Sequence, residues 1–274
     1  MGLIREVKRN NIGRVRELLD QGANPNFRDS FGTVLFEASH NDLTEMVRLL
    51  LDRGADPNIQ DRFGRTALSD AVNHSRNKIV ELLLDRGADP NIKSGYGITD
   101  LMLASRNGNN EIVKLLLDNG ADPNIRDRDG KTALIFASLS GRSGRSGHTE
   151  IVELLLDNGA DPNIRDRDGK TASMIAEEGG HNDVARLIRD HIRLQRARQR
   201  LAFATFLLGD NTHMDDLDYD VTARIAEYVN DLDQYGSGSK RSSRSSSRSS
   251  SRSEQSRRSR KRKNKYYTRR RSFF

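Results

Sequence analysis

A pentapeptide recurs along this chain at a near-constant interval, and that recurrence constrains the fold more than any other feature. Gly-Ala-Asp-Pro-Asn begins at Gly54, Gly87, Gly120 and Gly159, with Gly-Ala-Asn-Pro-Asn at Gly22, at successive offsets of 32, 33, 33 and 39 residues. All five prolines, Pro25, Pro57, Pro90, Pro123 and Pro162, fall inside it. A period of this length marks stacked supersecondary units, none of which can bury its apolar face alone. Two further landmarks keep the same period. Thr33, Thr66, Thr99, Thr132 and Thr171 are each followed five residues later by Ala38, Ala71, Ala104, Ala137 and Ala176, and an apolar block such as Ile79-Val80-Glu81-Leu82-Leu83-Leu84 comes next.

Each landmark has a physical task. A threonine hydroxyl accepts a hydrogen bond from an orphan N–H of a first helical turn, so these threonines predict helix starts. The alanine allows that helix to approach its partner closely, and the spacing of Ile79, Val80, Leu82, Leu83 and Leu84 predicts the buried face of a second helix. The glycine after Leu-Leu-Leu-Asp suits the left-handed residue that closes a helix, while Asp-Pro-Asn favours a turn. The chain then reverses in a finger.

Gly-Ala-Asp-Pro-Asn, then Asp-x-x-Gly-x-Thr-Ala-Leu, then Glu-Ile-Val-x-Leu-Leu-Leu is a pattern that resembles the ankyrin repeat from Met1 to about Arg200. The resemblance implies an all-α solenoid of helix-turn-helix units with finger turns. The units read as 1–27 (an N-terminal cap), 28–60, 61–93, 94–126, 127–165 and 166–200 (a C-terminal cap). The terminal units lack parts of the pattern, as expected of units that cover the apolar ends of a stack. Three departures stand out. The family's histidine after Thr-Pro-Leu is replaced by Phe36, Ser69, Met102, Ile135 and Met174, which predicts a less rigid first helix. The finger before Thr33 is one residue short, and about six extra residues within Gly141–Ser146 lengthen the fifth unit.

Resemblance to this family also implies that the fingers and the exposed side of each first helix line a groove for a protein partner. The residue before the finger glycine is Phe31, Phe63 and Tyr96 in the second to fourth units, then Asp129 and Asp168. Equivalent positions in stacked repeats lie about 10 Å apart, so the three aromatics form either an exposed ladder for a partner or rings packed on neighbouring fingers. Arg62, Lys93, Arg126, Arg128, Arg65, Lys131, His40, Asn73, His74 and Arg106 hold variable finger or first-helix positions that tune specificity if the groove binds, and are solvated surface otherwise.

Much is excluded. The chain has no cysteine, so disulfide frameworks, zinc-thiolate sites and thiol nucleophiles are ruled out, and a reducing interior, cytoplasm or nucleus, is the expected setting. The start Met1-Gly2-Leu3-Ile4-Arg5-Glu6 has neither a signal-peptide core nor the Ser or Thr of a myristoylation signal at position six. The longest apolar stretch, Leu201–Leu208, falls far short of the ~20 residues that cross a bilayer. Gly130-Lys131-Thr132 and Gly169-Lys170-Thr171 lack the earlier glycine of a phosphate-binding loop, which would fall at Ile125 and Ile164. Asp127-Arg128-Asp129-Gly130 lacks the remaining ligands of a calcium loop. No histidine spacing suits a metal, and no catalytic set is found. The expectation is a non-enzyme without cofactor or small-molecule substrate.

The C-terminal part reads differently. Residues 201–235 are a short helical extension, with Leu201–Leu208 expected to dock on the last repeat. Within it Leu217, Val221, Ile225 and Tyr228 share one face at helical spacing. The stretch 217–229 is similar to the opening helix of an F-box, with Asp220 for Glu and Asp218 in place of the proline. Truncated ends of that kind follow ankyrin repeats in proteins of large DNA viruses, which implies recruitment of a cullin-ligase component; the apolar spacing alone equally describes a helix that caps the solenoid. Residues 236–274 are low-complexity, Ser/Arg-rich and expected to be disordered. From Lys240 to Phe274 fifteen Lys or Arg face Glu254 alone, a charge of +14, whereas the preceding residues carry 31 basic and 38 acidic groups, or −7. Such a tail suits nucleic acid bound through residues 240–274, nuclear import through the basic run 257–265, or contact with an acidic body.

Overall fold

The computed structural model describes residues 2–139 and 149–208, with side chains to residue 200. Twelve helices and no strand occur among the described residues: α1 (Gly2–Lys8), α2 (Ile12–Asp20), α3 (Val34–His40), α4 (Thr44–Asp52), α5 (Ala67–Asn73), α6 (Asn77–Asp85), α7 (Asp100–Asn107), α8 (Asn110–Asp118), α9 (Ala133–Ser138), α10 (Thr149–Asp157), α11 (Ala172–Glu178) and α12 (Asn182–Leu208). They alternate as first and second helices of six units. The first helices pack in one row, α1 on α3, α5, α7, α9 and α11, and α4, α6, α8 and α10 form a second. One apolar core runs continuously between the rows, from Leu3 in α1 to Ile188 in α12.

The threonines start the first helices as their chemistry requires. The hydroxyls of Thr33, Thr66, Thr99 and Thr132 accept hydrogen bonds from the N–H groups of Phe36, Ser69, Met102 and Ile135 at 3.0, 3.2, 3.4 and 3.4 Å. The cap is therefore made by backbone donors, without the histidine that the family pattern supplies. At Thr66 the Ser69 hydroxyl also accepts from the threonine N–H at 3.3 Å, completing a reciprocal capping box. Thr171 is the exception: it makes no side-chain cap bond, and its hydroxyl lies 3.1 Å from that of Ser173.

The second helices end as the glycines predict. After α4, Gly54 takes φ +83°, its N–H donates to Leu51 O and the N–H of Ala55 donates to Leu50 O, both at 3.0 Å. This pair of bonds satisfies the orphan carbonyls of the last turn. The pentapeptide does more than turn the chain. Asn58 donates to Gly87 O at 3.1 Å and accepts from the N–H of Asp89 at 2.8 Å. Asn91 does the same to Gly120 and Asp122, and Asn124 to Gly159 and Asp161. Each asparagine thus bridges to the next pentapeptide.

A compact unit covers residues 1–202; of the other unit, 203–274, only the end of α12 is described. α12 is one continuous helix across residue 200. No glycine or proline interrupts residues 182–208, so nothing in the chain stops the helix there. The side chains of Leu201–Leu208, the insertion within Gly141–Ser146, the F-box-like stretch 217–229 with Leu217, Val221, Ile225 and Tyr228, and the tail 236–274 lie outside the described residues. Among the described residues no helix is long and apolar enough to cross a membrane.

Candidate partner-binding groove

The fingers are rigid at their tips, and the reason is local. In the third unit the Asp61 carboxylate accepts from the N–H groups of Phe63 and Arg65 at 2.8 and 2.9 Å, and its other oxygen takes the Arg65 guanidinium at 2.9 and 2.7 Å. Asp127 holds the N–H groups of Asp129 and Lys131 in the same way, and Asp166 those of Asp168 and Lys170. Fingers are also joined to one another. The N–H of Gly95 donates to Phe63 O at 2.8 Å, that of Arg128 to Tyr96 O at 3.3 Å and that of Arg167 to Asp129 O at 2.8 Å.

On these fixed backbones the rings point outward. Phe31, Phe63 and Tyr96 are 62%, 49% and 72% exposed, values that do not fit rings buried against neighbouring fingers. Their surroundings differ. Lys8 lies 5.5 Å from the Phe31 ring centre, and the Phe63 ring has Arg62 at 4.6 Å and Arg65 at 5.3 Å. Tyr96 is the barest of the three. Phe63 and Tyr96 flank a groove of about 790 Å³ whose walls include Ile98, Leu103, Phe136, Arg65, Arg106 and Arg128; Phe31 is not part of its lining.

The charged candidates separate into four groups. Arg106, Arg128 and Lys131 line the groove, and so do Asn73 and Arg167. Arg126 is spent on the scaffold: its guanidinium donates to Gly130 O at 3.2 Å and to Arg165 O at 2.7 Å, tying its own finger to the next. Lys93 is exposed, and its carbonyl accepts from Gln60 at 3.0 Å. His40 and His74 gather around a third residue, Asp70, which its place in the repeat did not single out. Asp70 is buried at the edge of the groove, with His40 Nδ1 3.3 Å from one carboxylate oxygen and His74 Nδ1 3.4 Å from the other.

These three side chains place ligand-type atoms within 4.8 Å of one another, a spacing suited to a metal. The Arg76 guanidinium, 3.6 Å from Asp70, already supplies a positive charge there, so the carboxylate is balanced by an ion pair. Behind the same wall, Asp100 occupies the first turn of α7 and is buried. Burial pushes its carboxyl up to about 7; a hydrogen bond with Ser69 pulls it down and the Asp89 carboxylate adds to the rise.

Sequence reasoning reached the ring positions and the free cations through their place in the repeat. It missed Ile98, Leu103 and Phe136, because apolar residues at groove positions carry the same signal as core. A family model described as ankyrin repeats (3 copies) matches residues 3–94 and again 101–198. Comparison with proteins of curated function finds no match.

Proposed function

The chain belongs to the ankyrin-repeat family, a family of protein-interaction modules that is typically non-enzymatic, and from that premise we propose that this protein holds a partner in the groove flanked by Phe63 and Tyr96. The observation that carries the reading is the pairing of exposed rings with backbones hydrogen-bonded to the next finger. A ring that is 49% or 72% exposed keeps apolar area in water at no benefit to the fold, whereas an interface buries that area. Aromatic anchors dominate interfaces when they enter pockets without loss of backbone freedom, and the finger-to-finger hydrogen bonds remove that freedom in advance. Arg62, Arg65, Arg106 and Arg128 surround the rings and set which partner fits, while Phe31, outside the groove, extends the contact toward the N-terminal unit.

The test is a photo-crosslinking amino acid placed at position 96 of the full chain in cells, with a control at the exposed position 114 on α8. A defined adduct formed only from position 96, and lost on adding Phe63→Ala, supports the reading. Equal labelling from both positions overturns it.

A further inference from the structure

The charge of the groove is opposite to that of the body that carries it, and this selects among partners. Three of its lining acids are already engaged. Asp127 holds finger N–H groups, Asp129 faces Arg167 at 3.5 Å, and Asp70 faces Arg76 at 3.6 Å. Of the lining cations, Arg65 is bound to Asp61 at 2.7 Å and Arg167 is taken by Asp129. Arg106, Arg128 and Lys131 remain, each without a side-chain hydrogen bond or ion pair among the described residues. Three unpaired cations beside exposed Phe63 and Tyr96 make a local positive field on residues 1–239, whose net charge is −7. Over a Debye length of about 8 Å at physiological salt the distant acids are screened, so the groove presents its own sign to whatever enters it.

We infer that the partner segment is an acidic peptide: an extended stretch rich in Asp or Glu around an aromatic or aliphatic anchor. The anchor lies between Phe63 and Tyr96 over the apolar floor at Leu103, and carboxylates on either side meet Arg106, Arg128 and Lys131. Guanidinium groups donate to carboxylates in bidentate geometry, which gives register as well as attraction. The same field excludes the chain's own segment 240–274 as occupant, because its charge is +14. This inference rests on the proposed use of the groove and adds the chemistry of what fills it.

The experiment uses the full chain and three labelled twelve-residue peptides that share one central Phe and differ in flanking Glu, Gln or Lys, read by fluorescence anisotropy, with a labelled oligonucleotide of twenty thymidines as a fourth probe. The Glu peptide is expected to bind about tenfold or more tighter than the Gln peptide and to weaken between about 50 and 300 mM salt. Arg106→Glu with Arg128→Glu reverses that preference, and Tyr96→Ala weakens Glu and Gln peptides alike. The basic tail also attracts acidic peptides, so Glu-peptide binding that survives Arg106→Glu with Arg128→Glu belongs to the tail and overturns the inference. Oligonucleotide binding abolished by the same pair of substitutions, with no groove-dependent Glu-peptide binding, overturns it in favour of nucleic acid. Equal binding of Gln and Glu peptides, lost with Tyr96→Ala, removes the acidity and leaves the groove reading intact; peptide binding indifferent to Tyr96 removes the groove reading as well.

Discussion

The carbonyl of Phe63 accepts a hydrogen bond from the N–H of Gly95 at 2.8 Å, so the backbone beneath one exposed ring is fastened to the next finger. That approach is close. A Cβ on Gly64, which has φ +75°, would lie 2.7 Å from the Gly95 nitrogen, whereas Gly54, at φ +83°, has nothing within 4 Å. Alanine at Gly54 therefore meets only the conformational penalty, roughly 1 kcal/mol, and alanine at Gly64 meets the steric one too, roughly 2–3 kcal/mol in all. Denaturant unfolding of the two variants checks the difference. Equal losses would show that the finger contact yields without cost.

The asparagine bridges predict a second effect. Asn58→Ala and Asn91→Ala each remove two hydrogen bonds between neighbouring pentapeptides. At 0.5–1.5 kcal/mol net per bond the expected loss is roughly 1–3 kcal/mol for each variant. Asn119→Ala, whose side chain only returns to Leu115 O of its own helix, is expected to cost less. Thermal or urea unfolding of the three proteins measures this.

Asp100 predicts a pH dependence whose sign runs against the usual carboxylate. Its pKa in the fold, about 7, lies above the ordinary value of 3.8, so the folded chain holds the proton more tightly than the unfolded one. Its contribution is most favourable below pH 3.8, declines as pH rises, and is fully lost above about 7. Asp100→Asn keeps the shape and removes the ionisation. The variant is expected to gain stability over the natural chain as pH rises from 5 to 8, by roughly 2–4 kcal/mol at the upper end. A difference in unfolding free energy that does not change over that range would contradict the assignment.

The parts of this fold that were legible in the sequence are those in which one residue does one local task. Thr33, Thr66, Thr99 and Thr132 cap, and Gly54 closes a helix, because a hydroxyl acceptor and a missing Cβ act within a turn of the chain. What Asn58 does was hidden, since its partners, Gly87 and Asp89, lie about one repeat away and a turn alone was reason enough for an asparagine. Asp70 was hidden for a related reason: His40 comes from α3 and Arg76 from the start of α6, and only stacking brings them to one carboxylate. Arg126 looked like a surface cation for a partner; its bonds to Gly130 and Arg165 depend on the height of the next finger.

In the proposed function Phe63 and Tyr96 bind a partner and do not hold the fold together. The direct measurement is the affinity of the partner crosslinked through position 96 for the natural chain and for Phe63→Ala with Tyr96→Ala, taken alongside the unfolding free energy of both. Rings this exposed contribute little to folding, so stability is expected to change by less than about 1 kcal/mol. Affinity is expected to fall by roughly 2 kcal/mol or more for each ring that acts as an anchor. Unchanged affinity together with a loss of stability of several kcal/mol would contradict the account and make both rings part of the scaffold.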